Sequence, residues 1–294
     1  SVVGAMLFAD EQKEMLVLDI GGTTTDMAIL IKGVPLLNPL GIAVGPYQTL
    51  IRSLETNSVG IGGDSHVTVK DGEINIGPDR RGPAMAYGGP VPTPTDALFV
   101  LGKSVDGDRE KSVAGLKPLA EGLGIGIEAA AEKIFKHTCR LILLEAGKML
   151  RRINGKPVYT VHEMLEGHKV KISDILVLGG PAVHFAECIE AISEYEARVV
   201  PRWAVANAIG AALARTTSEV ILFADTEQGV ATAPGENFRT EIPQSFTKEE
   251  AIDMALDLLR QKALKRGANP EYLEMETVED QEFNMVRGFY TTGK

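Results

Sequence analysis

Cysteine is almost missing from this sequence: Cys139 and Cys188 are the only two in 294 residues, and no C-x-x-C spacing joins them. That scarcity excludes a disulfide framework and suits buried thiols in a reducing cytoplasm. Positive charge is short too, with 30 Lys and Arg against 40 Asp and Glu, a formal net charge of −10. The basic residues are scattered, so the field repels nucleic acid and anionic membranes and leaves small molecules or proteins as partners. No apolar run approaches the roughly 20 residues that span a bilayer, and the N-terminus lacks the basic start of a signal peptide. The histidines His66, His137, His162, His168 and His184 stand at no metal-ligand spacing, and His162-Glu163 lacks the second histidine of a zinc helix. Ser-His-Asp catalysis has no support, because there is no Gly-x-Ser-x-Gly elbow. An opening on Ser1 and a close at "TTGK" fit an excised piece, and the first of these equally fits removal of an initiator methionine.

What is present is 44% hydrophobic and 24% charged residues, enough for one large or two medium domains with real cores. "SVVGAMLFA" suits a short helix leading into a strand over 15–20, and "TDMAILI" suits a second strand after a turn. "VTVKDGEINIGP" predicts a hairpin turning at Asp71-Gly72. The glycine- and proline-rich stretch from Arg80 to Thr95 predicts a loop. Apolar residues spaced by three and four from Ile127 to Arg152 predict one long amphipathic helix, with Arg151-Arg152 at a solvated end that suits the helix dipole. "DILVLGG" reads as a buried strand ending in a glycine pair, followed by a helix near Val183–Ser193, a short strand "RVV" and the alanine-rich helix "AVANAIGAALA". This alternation argues for an α/β layer with parallel neighbours. From about Ser218 the character changes to two short strands, a charged helix Lys248–Lys265 and the segments "LEMETVED" and "NMVRGFY", a smaller α+β unit.

The chemistry concentrates in "LVLDIGGTTTDMAILI", residues 16–31. A strand that delivers Asp19 and then turns through Gly21-Gly22 exposes backbone N–H groups, since no Cβ blocks an approaching anion. Thr23, Thr24 and Thr25 add hydroxyl donors. Asp19 and Asp26 would repel an anion held there unless a divalent cation or a water lies between, which is what a magnesium-nucleotide site supplies. By itself the segment also reads as a plain hairpin with threonines for β propensity. A Rossmann fingerprint fails, because its glycines must open a helix and these feed a strand. "ALFVLGKS", Ala97–Ser104, is excluded as a P-loop by four bulky apolar residues, which suit a buried helix or strand. Gly179-Gly180 ends a strand where a flat ligand can lie against the backbone, the place open α/β sheets use.

An acid-bearing Gly-Gly-Thr hairpin, a long helix and then strand–Gly-Gly–helix is the element order of the actin-like ATPase superfamily. Within it the sequence resembles the hydantoinase A and 5-oxoprolinase family, through "SVVGA" (1–5), "LVLDIGGTTTDMAI" (16–29), "SVGIGGDS" (58–65), "GPDRRGPAMAYGGPVPTPTDALFVLG" (77–102), "VLGGPA" (177–182) and "AVANAIGAALA" (204–214). The resemblance implies an α/β fold, the ribonuclease H-like mixed sheet with flanking helices, over 1–216, and a smaller α+β region over 217–294. It implies ATP and Mg2+ as cofactors and a cyclic imide or lactam, such as a hydantoin or 5-oxoproline, as substrate. A hydantoinase B-type partner subunit follows from it as well, while the cysteine contexts point to a cytoplasmic location. On this reading Gly21, Gly22, Thr23, Thr24 and Thr25 hold phosphates and Asp19 orients magnesium or water. Asp26 supports the metal's water shell, and Gly179, Gly180 and Pro181 flank the nucleoside. Gly62, Gly63 and Asp64 line the substrate side, although relatives often carry a third glycine where this chain has Asp64. Asp96 is either on that side or a helix cap, and Asn207 either packs or contacts ligand. Full-length relatives carry an earlier Asp-Gly-Gly-Thr loop in a separate domain, so this chain alone is expected to grip nucleotide from one side and weakly. The alternative within the same fold is a nucleotide-responsive regulatory or carboxylase-type subunit.

Overall fold

The computed structural model describes residues 1–38, 41, 43–44, 47–49, 53–155, 169–213, 217–287 and 290–293. Two compact units emerge, Ser1–Ala214 and Arg215–Lys294.

In the first unit a short helix α1 (Val2–Met6) precedes strands β1 (Glu14–Ile20), β2 (Thr25–Ile31), β3 (Val34–Pro35) and β4 (Thr56–Val59). The hairpin β5 (Val67–Lys70) and β6 (Glu73–Ile76) turns at Asp71 and Gly72, with φ of 52° and 76°. Positive φ at both central residues is what a type I′ hairpin turn demands, and Asp-Gly supplies it cheaply. Helices α2 (Pro94–Val100), α3 (Arg109–Leu123) and α4 (Ile127–Asn154) follow, then β7 (Asp174–Leu178), α5 (Ala182–Ile192), β8 (Glu196–Val199) and α6 (Ala206–Leu213).

The sheet runs β8-β7-β1-β2-β3, with β4 pairing β2 on the same edge as β3. β1, β7 and β8 are parallel, while β2 runs antiparallel to β1. Such a sheet, with helices on both faces, is the actin-like, ribonuclease H-like arrangement that the resemblance implies. Strand alternation sorts the core into two layers. Leu16, Leu18 and Ile20 join Ile134, Phe135, Ile142 and Phe185 on one face. Met15, Val17, Ala28 and Leu30 join Ala5 and Ala206 on the other. Strands covered on both sides read as continuous apolar runs, as β1, β2 and β7 do. On the thinner face α1 crosses α6 at close range: a Cβ on Gly4 would lie 2.1 Å from the Ala206 carbonyl oxygen, so only glycine fits.

Several expectations are refined. Ala97–Val100 lies in α2, a buried helix, as the rejection of a P-loop there requires. Helix α3, for which the sequence reading had no counterpart, contains Gly115 and Pro118; a Cβ on Gly115 would lie 2.2 Å from the Met85 sulfur, so the glycine serves packing. Arg152 is not simply solvated, because it pairs at 2.9 Å with Glu55, which is 4% exposed. His162 and His168 lie outside the described residues. In the second unit, β9 (Phe223–Asp225), β10 (Val230–Ala233) and β11 (Phe238–Glu241) form an antiparallel sheet followed by α7 (Lys248–Lys265). Helix α7 starts at a capping box between Thr247 and Glu250, and β12 (Met285–Arg287) pairs with β13 (Tyr290–Gly293).

Candidate functional site

Hydrogen-bond register places the acids. Asp19 on β1 neighbours Leu178, the last residue of β7, and stands directly opposite Asp26 on β2. Paired residues on antiparallel strands hold their Cβ atoms about 4.5–5.5 Å apart on one face. Alternation from Met15 and Val17 puts both carboxylates on the face covered by α1 and α6. The Ser1 hydroxyl donates to Asp19 Oδ2, and the Ser1 amino group donates to Asn207 Oδ1 at 3.2 Å. Asn207, on the exposed side of α6, is thus brought to the edge of the site.

Between the two strands the turn is closed by one bond, Gly21 N–H to the Thr24 carbonyl at 2.9 Å. The amides of Gly22, Thr23 and Thr24 have no protein partner among the described residues. Three successive unused donors on an accessible turn are available to an anion. Thr25 is placed differently from the other threonines: it is fully buried, and its hydroxyl donates to the Ile61 carbonyl at 2.7 Å. Its role is to hold the turn to the next segment.

That segment, Gly62–Asp64, supports the turn rather than facing away from it. Gly63 N–H donates to the Gly21 carbonyl at 2.9 Å and Asp64 N–H to the Gly22 carbonyl at 2.7 Å. A Cβ on Gly62 would lie 2.6 Å from both of those carbonyl oxygens, which is why no larger residue fits. The Gly63 carbonyl in turn accepts from both the backbone N–H and the hydroxyl of Thr95 at 2.8 Å.

The second glycine pair abuts the same place. Gly179, at φ +98°, approaches so closely that a Cβ would lie 2.1 Å from the Ile20 carbonyl oxygen and 2.9 Å from Asp19 Oδ1. Gly180 faces open space, and Pro181 comes within 3.7 Å of where a Cβ on Gly63 would stand. Three glycine segments therefore meet at the turn that follows Asp19, and Gly179 touches Asp19 itself, at the carboxyl ends of parallel β1 and β7.

Asp96 belongs elsewhere. Wholly buried, its carboxylate accepts from the amides of Met85, Ala86 and Thr93 and from the hydroxyls of Thr93 and Ser112, at 2.6–3.0 Å. Thr93 is the N-cap of α2 and Asp96 its reciprocal partner three residues on. With its oxygens saturated, Asp96 organises the glycine- and proline-rich loop and has nothing left for a substrate.

A further residue escapes sequence reasoning. Arg80 pairs with Asp64 at 2.9 Å, and Asp64 Oδ2 lies 2.5 Å from the point a Gly22 Cβ would occupy. A guanidinium is thereby tethered beside the turn. The available signal was Asp64 itself, since an acid beside an anion cradle calls for a counter-cation. Nearby, burial first and then a hydrogen bond to Asp106 push the Tyr87 phenol up to about 12, so it stays a neutral donor. His184, in the first turn of α5, is held below the ordinary imidazole value mainly by burial, and its Nδ1 has no partner among the described residues.

Mg2+ keeps several waters and takes one or two carboxylates beside substrate phosphates, so two cross-strand aspartates next to free amides fit it. Among the described residues no group of three His, Cys, Asp or Glu is arranged to hold a metal by itself. No described helix is long and apolar enough to cross a membrane.

Comparison with known proteins adds three findings. The Hydantoinase/oxoprolinase family model matches residues 1–220. The nucleotide-free structure of acetone carboxylase, from work on ATP-dependent acetone carboxylation, is 20% identical with a TM-score of 0.60; the match covers 92% of this chain and 38% of that one. Spiroplasma citri MreB 5 bound to AMPPNP is 12% identical over 72% of this chain and 56% of that one, with a TM-score of 0.35, too low to bear on this chain. No curated protein matches.

Proposed function

The chain belongs to the hydantoinase/oxoprolinase family, and from that membership we propose that it forms the phosphate-gripping part of an ATP-dependent hydrolase that opens a cyclic imide or lactam, a hydantoin or 5-oxoproline. One observation carries the reading: three glycine segments meet at the turn after Asp19 while the amides of Gly22, Thr23 and Thr24 have no partner among the described residues. Those amides and the Thr23 and Thr24 hydroxyls hold phosphate oxygens. Asp19, with Asp26 opposite, orients the waters of the metal or the attacking water. Arg80 offsets negative charge beside the turn, and the open side of Gly180 with Pro181 receives the nucleoside. A lactam carbonyl is a poor electrophile, and a bound nucleotide supplies a phosphoryl group that makes its oxygen a leaving group. The protein's part is positioning and charge stabilisation.

Product analysis tests the proposal. The complete protein with its hydantoinase B-type partner, given ATP, Mg2+ and hydantoin or 5-oxoproline, is expected to yield ring-opened acid together with phosphate. Phosphate without ring opening, or ring opening without ATP consumption, contradicts it. A second reading, a carboxylase-type or nucleotide-responsive subunit, draws support from the acetone carboxylase likeness over 92% of this chain. Phosphate release that depends on a ketone and bicarbonate, or on another protein alone, favours that reading.

A further inference from the structure

The carboxylate that backs the phosphate turn is shared with a cation. Asp64 Oδ2 lies 2.5 Å from the point a Gly22 Cβ would occupy, and the same oxygen accepts from Arg80 Nη2 at 2.9 Å. From the turn, the guanidinium is thus reached in two short steps, Asp64 first and Arg80 behind it. Both roots are fastened. Asp64 N–H donates to the Gly22 carbonyl at 2.7 Å, while the strap before Arg80 is tied by His66 N–H to the Asp79 carbonyl at 2.8 Å and by Gly77 N–H to the His66 carbonyl at 3.0 Å. A Cβ on Gly77, at φ +61°, would lie 2.5 Å from the Gly60 carbonyl oxygen, so the strap runs hard against the chain that enters the Gly62 segment. The heads have more room, with the Arg80 side chain 41% exposed. Among the described residues Arg80 bonds through Nη2 alone, leaving the other donors of its guanidinium unused. Asp19, Asp26 and Asp64 all stand at the turn, and among the described residues no other Lys or Arg is bonded to it or to Gly62–Asp64.

We propose that Arg80 reads the terminal phosphate of the nucleotide and that Asp64 is its built-in competitor, so that the pair makes the site selective for a triphosphate over a diphosphate. The inference rests on the reading of the Gly22–Thr24 turn as the phosphate site. With the pair closed, Asp64 occupies the guanidinium edge that a phosphate would take and sets a carboxylate beside the unused amides. An ion pair with so exposed a partner is weak. A guanidinium fits phosphate with two parallel charge-assisted hydrogen bonds, so a terminal phosphate held on the turn draws Arg80 off Asp64. Rotation of the side chains is enough for this exchange, because the backbone on both sides is already tied down. Charge decides which nucleotide can drive it. MgATP carries one more negative charge than MgADP, and that charge sits on the phosphate a diphosphate lacks. A diphosphate leaves the Asp64–Arg80 pair closed and gains nothing from the guanidinium. Once the terminal phosphate is gone the pair closes again, and the hold on the diphosphate weakens.

Amide NMR titrations of the chain test the proposal, with dissociation constants for MgATP and MgADP read from the shifts of Gly22, Thr23 and Thr24. The native chain is expected to prefer MgATP by about tenfold. Arg80→Gln should lose most of that preference through weaker MgATP binding. Asp64→Asn, which keeps the shape and removes the competing charge, should tighten MgATP severalfold. Arg80→Lys, a point charge without the fork, should fall between the native chain and Arg80→Gln. The spectrum of each variant without nucleotide reports its fold, and the native preference needs no variant. Equal affinities for the two nucleotides in the native chain, a preference that survives Arg80→Gln intact, or weaker MgATP binding by Asp64→Asn overturns the proposal and leaves the phosphate reading standing. Amides that respond to neither nucleotide overturn both.

Discussion

The two ends of the β1–β7 strand pair each hold an aspartate, and the two acids are treated in opposite ways. At the amino end Asp174 is 1% exposed and met by Lys13 at 2.8 Å and Arg198 at 3.3 Å. At the carboxyl end Asp19 faces Asp26 across the hairpin, accepts a hydroxyl bond from Ser1 and is closely approached by Gly179. One acid is neutralised by the fold; the other stands among unused amides. The difference teaches where stability ends and binding begins within one pair of strands, and substitutions at each end should separate the two.

The largest effect is expected at the open end. Asp19→Asn keeps shape and loses charge, so phosphate release by the assembled enzyme should fall about 10²- to 10⁴-fold while the melting temperature holds. An unchanged rate breaks the comparison. Next comes Gly62→Ala, whose Cβ would lie 2.6 Å from the Gly21 and Gly22 carbonyl oxygens. It should cost about 3 kcal/mol or more in denaturant unfolding, because backbone has to move.

Asp174→Asn at the closed end should cost about 1–2 kcal/mol with phosphate release unaffected, the exposed cations limiting the loss. Its pH dependence sharpens the contrast. Burial pushes the Asp174 carboxyl up, but hydrogen bonds from Lys13 and Ser173 and the charges of Lys13 and Arg198 outweigh it and hold the group below its ordinary value. A folded value below the unfolded one gives stability that is full above about pH 4 and is lost as pH falls through the folded value. Wild type and Asp174→Asn should therefore converge in stability under acid, as urea titrations at several pH values would reveal. The smallest change is Gly180→Ala, where nothing lies within 4 Å of the new Cβ. Stability should move by about 0.5 kcal/mol or less, and any loss should appear in nucleotide affinity.

Much of the strand–turn–strand unit was legible because local signals agree: apolar runs on both sides of a glycine pair, and Asp71-Gly72 at a hairpin. The long helix declared itself by spacing, and α7 by its run of charged residues over Lys248–Lys265. Longer-range facts were not legible. Nothing local says that Gly62 and Gly63 back the first turn, because that contact depends on β4 pairing with β2. Asp96 looked equally suited to substrate and to a helix cap until folding brought Met85, Ala86 and Ser112 onto its oxygens. Arg80 became interesting only through Asp64, and α3 was hidden by Gly115 and Pro118, residues that ordinarily interrupt helices.

The central claim is that the free amides after β1 hold the phosphates of a magnesium nucleotide, and amide NMR of this chain tests it most directly, since weak one-sided binding still registers. With MgATP raised to millimolar concentration, the Gly22, Thr23 and Thr24 amides should shift most and Gly21, already bonded to Thr24, much less. Adenosine should leave all four in place. Amides of Gly22–Thr24 that stay fixed under MgATP contradict the account.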